Sequence, residues 1–147
     1  MSASSNFAFI AHQWPEFYQS GREAETLAQT APRSAAFSCR YTMEQAVNWA
    51  YNHDPDLRRP WRDNLASLIH ERSFRNILAA ELFPSLLYVH KTGNLAAHSD
   101  PARKPVTAAM ALMALRHLHA FLQWFALTYG NPRPQTSLFD ESLVPSK

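Results

Sequence analysis

Glycine is scarce in this chain: three glycines stand among 147 residues, against ten prolines. An all-β sandwich or barrel turns tightly many times and draws on glycine to do so, so that class is excluded and helices are favoured. A single cysteine, Cys39, excludes an intramolecular disulfide framework and a cysteine-rich zinc site, and fits a reducing, cytoplasmic compartment. No uncharged apolar run reaches the roughly 18 residues of a membrane span, because Arg116, His117 and His119 interrupt the longest stretch. The opening MSASSNFAFIAHQW has neither the basic start nor the apolar stretch of a secretory signal. Charge is also scarce: 18% of residues carry it, and the net value of +2 is too small to imply nucleic-acid binding by itself.

What is present is apolar. Hydrophobic residues make up 46% of the chain and aromatics 12%, the balance of a packed globule, and the length fits one domain. Pro15 opens a helix through about Ala28, with Phe17, Tyr18, Gly21, Ala24 and Leu27 at helical spacing. A second helix spans roughly Ser34 to Asn52, where Ala36, Cys39, Met43, Val47 and Ala50 form one stripe. Asp63 and Ser73 are placed to cap two short connector helices, one carrying Leu65, Leu68 and Ile69 and the other Phe74, Ile77 and Leu78. Apolar positions from Ala80 to Lys91 predict a further helix, with Pro84 near its start. The clearest element begins with Pro105 in its first turn and runs through Leu115, Leu118, Leu122 and Phe125 to Tyr129, ending before Gly130. Four or more helices with short connections imply an all-α antiparallel bundle over residues 1–130. Residues 131–147, opened by Asn131-Pro132-Arg133-Pro134, read as a flexible linker or docking tail.

Three groups of residues could carry chemistry. The stretch His90-Lys91-Thr92-Gly93-Asn94-Leu95-Ala96-Ala97-His98 places two imidazoles, a cation and a carboxamide beside small residues. If it is helical, Asn94 and His98 share a face and Gly93, Ala96 and Ala97 admit a neighbouring helix closely; otherwise Gly93-Asn94 is a turn. Arg40 and Glu44 are four residues apart beside the apolar stripe of the second helix, suited to a partly buried ion pair or to a solvated one. Arg58, Arg59 and Arg62 flank Trp61 in the densest basic cluster, which could meet phosphate and stack on a base or could serve as a solubilising loop. No acidic or cysteine set stands near His12, His53 or His70 at metal-ligand spacing, and His117 and His119 are two apart, so no metal or other cofactor is expected. A phosphate-cradling glycine loop with lysine is also missing, which excludes nucleotide-driven motor chemistry.

The early Asn6-Phe7-Ala8-Phe9-Ile10, the helix through Cys39-Arg40-Tyr41-Thr42-Met43-Glu44-Gln45-Ala46, and Gly93-Asn94-Leu95-Ala96-Ala97-His98 before a long amphipathic helix make a combination. Together they resemble the N-terminal helical domain of type I restriction endonuclease R subunits, a family placed within the HEPN superfamily. The resemblance covers about residues 6 to 130. It implies a HEPN-like bundle whose motif residues are Arg40, Glu44, Gly93, Asn94 and His98. The role it implies is that of a non-catalytic accessory or interaction domain in DNA restriction and phage defence. Its partners would be other restriction-system subunits, the catalytic regions of a parent chain, or DNA, and a homodimer is admitted.

HEPN ribonucleases supply the competing expectation, a metal-independent RNA-cleaving toxin or defence effector. In them an arginine shortly before a histidine serves cleavage: the histidine moves protons and the arginine stabilises the charged phosphorane. On that pattern His98 stands at the histidine and Asn94 at the polar residue after the arginine. Gly93 occupies the arginine's own place, with His90 and Lys91 as the nearby basic residues. Lysine lacks arginine's bidentate fork, so the reading favours a domain without ribonuclease activity.

Overall fold

The computed structural model describes residues 5–97 and 105–146. Pro15 and Pro32 each take a first-turn position, where a missing amide leaves no bond unmade, and open α1 (Pro15–Leu27) and α2 (Pro32–His53). Two short helices follow an irregular stretch, α3 (Leu65–His70) and α4 (Arg72–Ile77). A 3-10 turn at Ala80–Leu82 leads into α5 (Phe83–Ala97), and α6 (Ala108–Tyr129) completes the set. No strand occurs among the described residues. The fold is therefore an all-α bundle, with α2 as its hub: α2 packs against α1, α5 and α6, and α5 packs against α6. No helix among the described residues is long and apolar enough to cross a membrane.

Several boundaries differ from the sequence reading, each for a local reason. Asn64, not Asp63, caps α3, its Oδ1 accepting from the Ser67 amide at 2.9 Å, while Asp63 is held by Arg59. Glu71, not Ser73, caps α4, accepting from the Ser73 amide at 2.7 Å and from the Ser73 hydroxyl. Helix α6 starts at Ala108, because the Thr107 hydroxyl accepts from the Met110 amide at 3.1 Å and leaves Pro105 outside the helix. Helix α5 continues through Gly93 and Asn94 to Ala97, so those two residues are not a turn.

The core joins Met43 of α2 to Leu86 of α5 and to Leu115, Leu118 and Leu122 of α6, all fully buried. At one end aromatic rings interlock: Phe125 meets Trp14 at 5.0 Å and Trp49 at 5.4 Å between centroids, both edge-on. The Tyr129 hydroxyl donates to Asp54 Oδ2 at 2.6 Å, tying the end of α6 to the end of α2. Cys39 is buried in this core, which pushes its thiol up to about 12 and leaves it unreactive.

The segment at Asn6 meets the segment at Asp140. Asn6 donates through its backbone amide and its Nδ2 to Glu25 Oε2, both at 2.8 Å, which satisfies a carboxylate that is only 2% exposed. The same Asn6 side chain exchanges two bonds with the Asp140 backbone, donating at 3.0 Å and accepting at 2.6 Å. The segment after α6 thus runs back along the bundle, burying Val144 and linking Arg116 to Glu141 at 3.2 Å. Between these segments lies His119, edge-on to Phe7, Phe9 and Phe139, with Nε2 buried and unpartnered.

Burial among those rings lowers His119 from 6.5 to about 4. The unfolded chain protonates this imidazole near 6.5 and the folded one only near 4, so the folded state binds fewer protons in that window. Stability is expected to fall as pH drops from 6.5 towards 4, by roughly 3 kcal/mol from this group. Urea denaturation across that range checks it: His119→Leu is expected to flatten the acid-side slope, and an unchanged slope would contradict the assignment.

Candidate functional site

Helix α5 lies against Arg40 of α2 at Gly93. A Cβ built there would lie 2.3 Å from Arg40 Cβ, 2.9 Å from its Cγ and 2.7 Å from its Cδ, distances that no side chain can occupy. The aliphatic stem of Arg40 lies directly over the bare backbone of Gly93. This contact answers both questions left open by the sequence. Gly93-Asn94 is helical because the glycine serves packing and not a turn, and Arg40 is committed to α5 and makes no ion pair with Glu44. The expected Arg40–Glu44 pair is therefore absent, although both residues are half-buried on the same face of α2.

The Arg40 stem carries its guanidinium to the neighbourhood of His90, one turn earlier on α5. Burial first, and then the Arg40 guanidinium and the His70 ring nearby, hold the His90 imidazole below its ordinary range, while Glu44 acts in the opposite direction. Near neutral pH the ring is uncharged. Asn94 Nδ2 lies 3.3 Å from His90 Nε2, close enough to donate to that nitrogen when it carries no proton. Arg40 Nε is buried without a hydrogen-bond partner. The result is a polar knot of Arg40, Glu44, His90 and Asn94 set into the α2–α5 seam. Phe37 and Tyr41, exposed at 49% and 48%, stand on either side of Arg40 along α2.

The remaining predicted residues separate from this knot. His98 lies outside the described residues. Lys91 is exposed and stands at a groove of about 530 Å³ bordered by Tyr88, Leu95 and Met110. The basic cluster is in the irregular segment between α2 and α3, where Arg59, itself exposed, is tied to its neighbours. It bonds Asp63 Oδ1 at 2.8 Å and Asn52 Oδ1 at 2.7 Å, and its guanidinium sits 5.6 Å from the centre of the Tyr51 ring. Arg58, Trp61 and Arg62 are exposed.

Sequence reasoning did not find His70 as a neighbour of His90, nor the Asn6–Glu25 and His119 arrangements, since each joins residues far apart in the chain. The only signal was the clustering of Phe7 and Phe9 around a polar Asn6. Among the described residues, no three His, Cys, Asp or Glu side chains gather as a metal site.

Helix propensity alone favours Ala over Gly by about 1 kcal/mol in a helix interior. At position 93 the added methyl collides with Arg40, so Gly93→Ala is expected to reverse that sign and destabilise by about 1–3 kcal/mol. Thermal or urea unfolding reads the difference, and a stabilised variant would refute the close contact.

No protein-family model, curated protein or solved structure matches the chain.

Proposed function

We propose that this chain is a non-catalytic interaction domain of a type I restriction system, of the HEPN-like kind that its motifs resemble. The α2 ridge carrying Phe37, Arg40, Tyr41 and Glu44 is its working surface. The observation that carries this reading is the Arg40–Gly93 contact. The place where a HEPN ribonuclease has its arginine is filled by a helix crossing that leaves no room for even a methyl group. On the ridge, two half-exposed aromatics flank a guanidinium, the residue types that dominate the energetics of protein interfaces.

One observation favours the competing ribonuclease reading: Arg40 brings a guanidinium to His90 from a different helix, and a phosphate could meet both groups. The two readings separate in one set of measurements. Incubated with end-labelled RNA in EDTA, the chain is expected to leave the RNA intact, and cleavage lost on His98→Ala, Arg40→Ala or His90→Ala would overturn the proposal. Mixed with the methylase–specificity complex of a type I system from the same genome, it is expected to co-elute on size exclusion. The double variant Phe37→Ala, Tyr41→Ala is expected to elute alone while keeping the wild-type melting temperature. Failure of the wild-type chain to co-elute would equally count against the proposal.

A further inference from the structure

Trp61 is 93% exposed, an indole that buries almost none of its surface against its own chain. The segment that carries it is nonetheless firmly attached. Leu57 and Leu65, the apolar residues bracketing it, are both turned into the core, at 8% and 3% exposure. The Arg58 amide donates to Ser73 Oγ at 3.0 Å, and the Arg59 guanidinium bridges Asp63 and Asn52 over the Tyr51 ring. Pro60 restricts the backbone immediately before the indole. Trp61 is therefore presented outward by an anchored support. Arg59 and Asp63 pair with each other, and Arg58 and Arg62 are exposed before and after the indole in the chain, while the Glu71 carboxylate reaches the Arg58 backbone through Ser73 and Asp56 is exposed two residues before Arg58.

We propose that this segment is a binding site for single-stranded nucleic acid, in which one base stacks on the Trp61 indole and Arg58 and Arg62 meet the phosphates on either side of it. The composition of the site selects this occupant. A protein partner recognised through a tryptophan needs a surrounding ring of contacts that excludes water. Here the flanking apolar residues Leu57 and Leu65 are buried, and the neighbours of Trp61 in the chain are Pro60, Arg62, Asp63 and Asn64. A base requires one open aromatic face, and its two phosphates require two cations. Duplex DNA keeps its bases stacked on each other and offers no face to the indole. The site involves no bond cleavage and lies apart from the α2–α5 knot, so it stands or falls independently of the interaction-domain reading.

Fluorescence anisotropy of the full chain with labelled oligothymidylate and oligouridylate at low salt tests it. Both probes are expected to bind, since nothing in the site reads a 2′-hydroxyl, and a duplex of equal length is expected to bind more weakly. Trp61→Ala should weaken binding about tenfold and Trp61→Phe should retain most of it. The Arg58→Ala, Arg62→Ala double variant should reduce the slope of log affinity against log salt by about 1.4, the value for two phosphate contacts on a single strand. All three variants replace exposed residues and are expected to melt with the wild type, which separates loss of binding from loss of fold. The proposal is overturned if neither single strand binds, if Trp61→Ala binds as the wild type does, or if the duplex binds more tightly. It is also overturned if polyglutamate competes with the same dependence on Trp61, which would assign the segment to an acidic protein.

Discussion

The closeness of α2 to α5 at Gly93 is the constraint from which the site follows. With no side chain at that position, the Arg40 stem can lie flat on the α5 backbone, and the crossing sets how far the guanidinium reaches. That one contact sets the Arg40 stem against α5, brings its positive charge to His90, and lies where α5 is helical although its sequence invites a turn. The Asn94 amide then lies against the His90 ring, 3.3 Å from its Nε2. The knot is thus organised by packing first and by polar contacts second. This ordering suits a positioned recognition surface better than a proton-transfer centre.

A second constraint closes the fold. Asn6 holds the buried Glu25 carboxylate and the Asp140 backbone together, so one side chain joins the N-terminal segment, α1 and the segment after α6. Its hydrogen bonds provide the polar satisfaction that a buried carboxylate demands, and removing one partner would leave that charge uncompensated. His119 fills the space beside it with an imidazole kept neutral by rings on three sides. The bundle therefore includes the residues beyond Tyr129: Phe139 and Val144 complete packing begun by α6.

Much of the helical framework was legible in the sequence because amphipathic periodicity and proline position are local signals. The stripe from Ala36 to Ala50 and the one from Ala111 to Phe125 both mark faces that are buried. Boundaries were less legible where two capping residues compete. Asn64 prevails over Asp63 because Arg59 engages the aspartate, and Thr107 sets the start of α6 three residues after Pro105. At the candidate site the sequence brought the right residue types together but not their partners. Four-residue spacing suggested an Arg40–Glu44 pair, whereas the competing surface that claims Arg40 is on another helix.

From the amino-acid order alone come the all-α class, the approximate extent of the long helices, the lack of a second cysteine for an intramolecular disulfide, and the lack of an uncharged apolar run long enough for a membrane-spanning helix. All of these depend on periodicity, composition and residues near one another in the chain. Only the tertiary structure decided that Gly93 is a crossing point, that Arg40 faces His90, that Arg59 is tied to its neighbours while Trp61 stands free, and that Asn6 clasps the segment at Asp140. Those outcomes turn on which helix faces meet and at what distance. That geometry is set by how whole side chains fill the space between elements, and no local pattern encodes it.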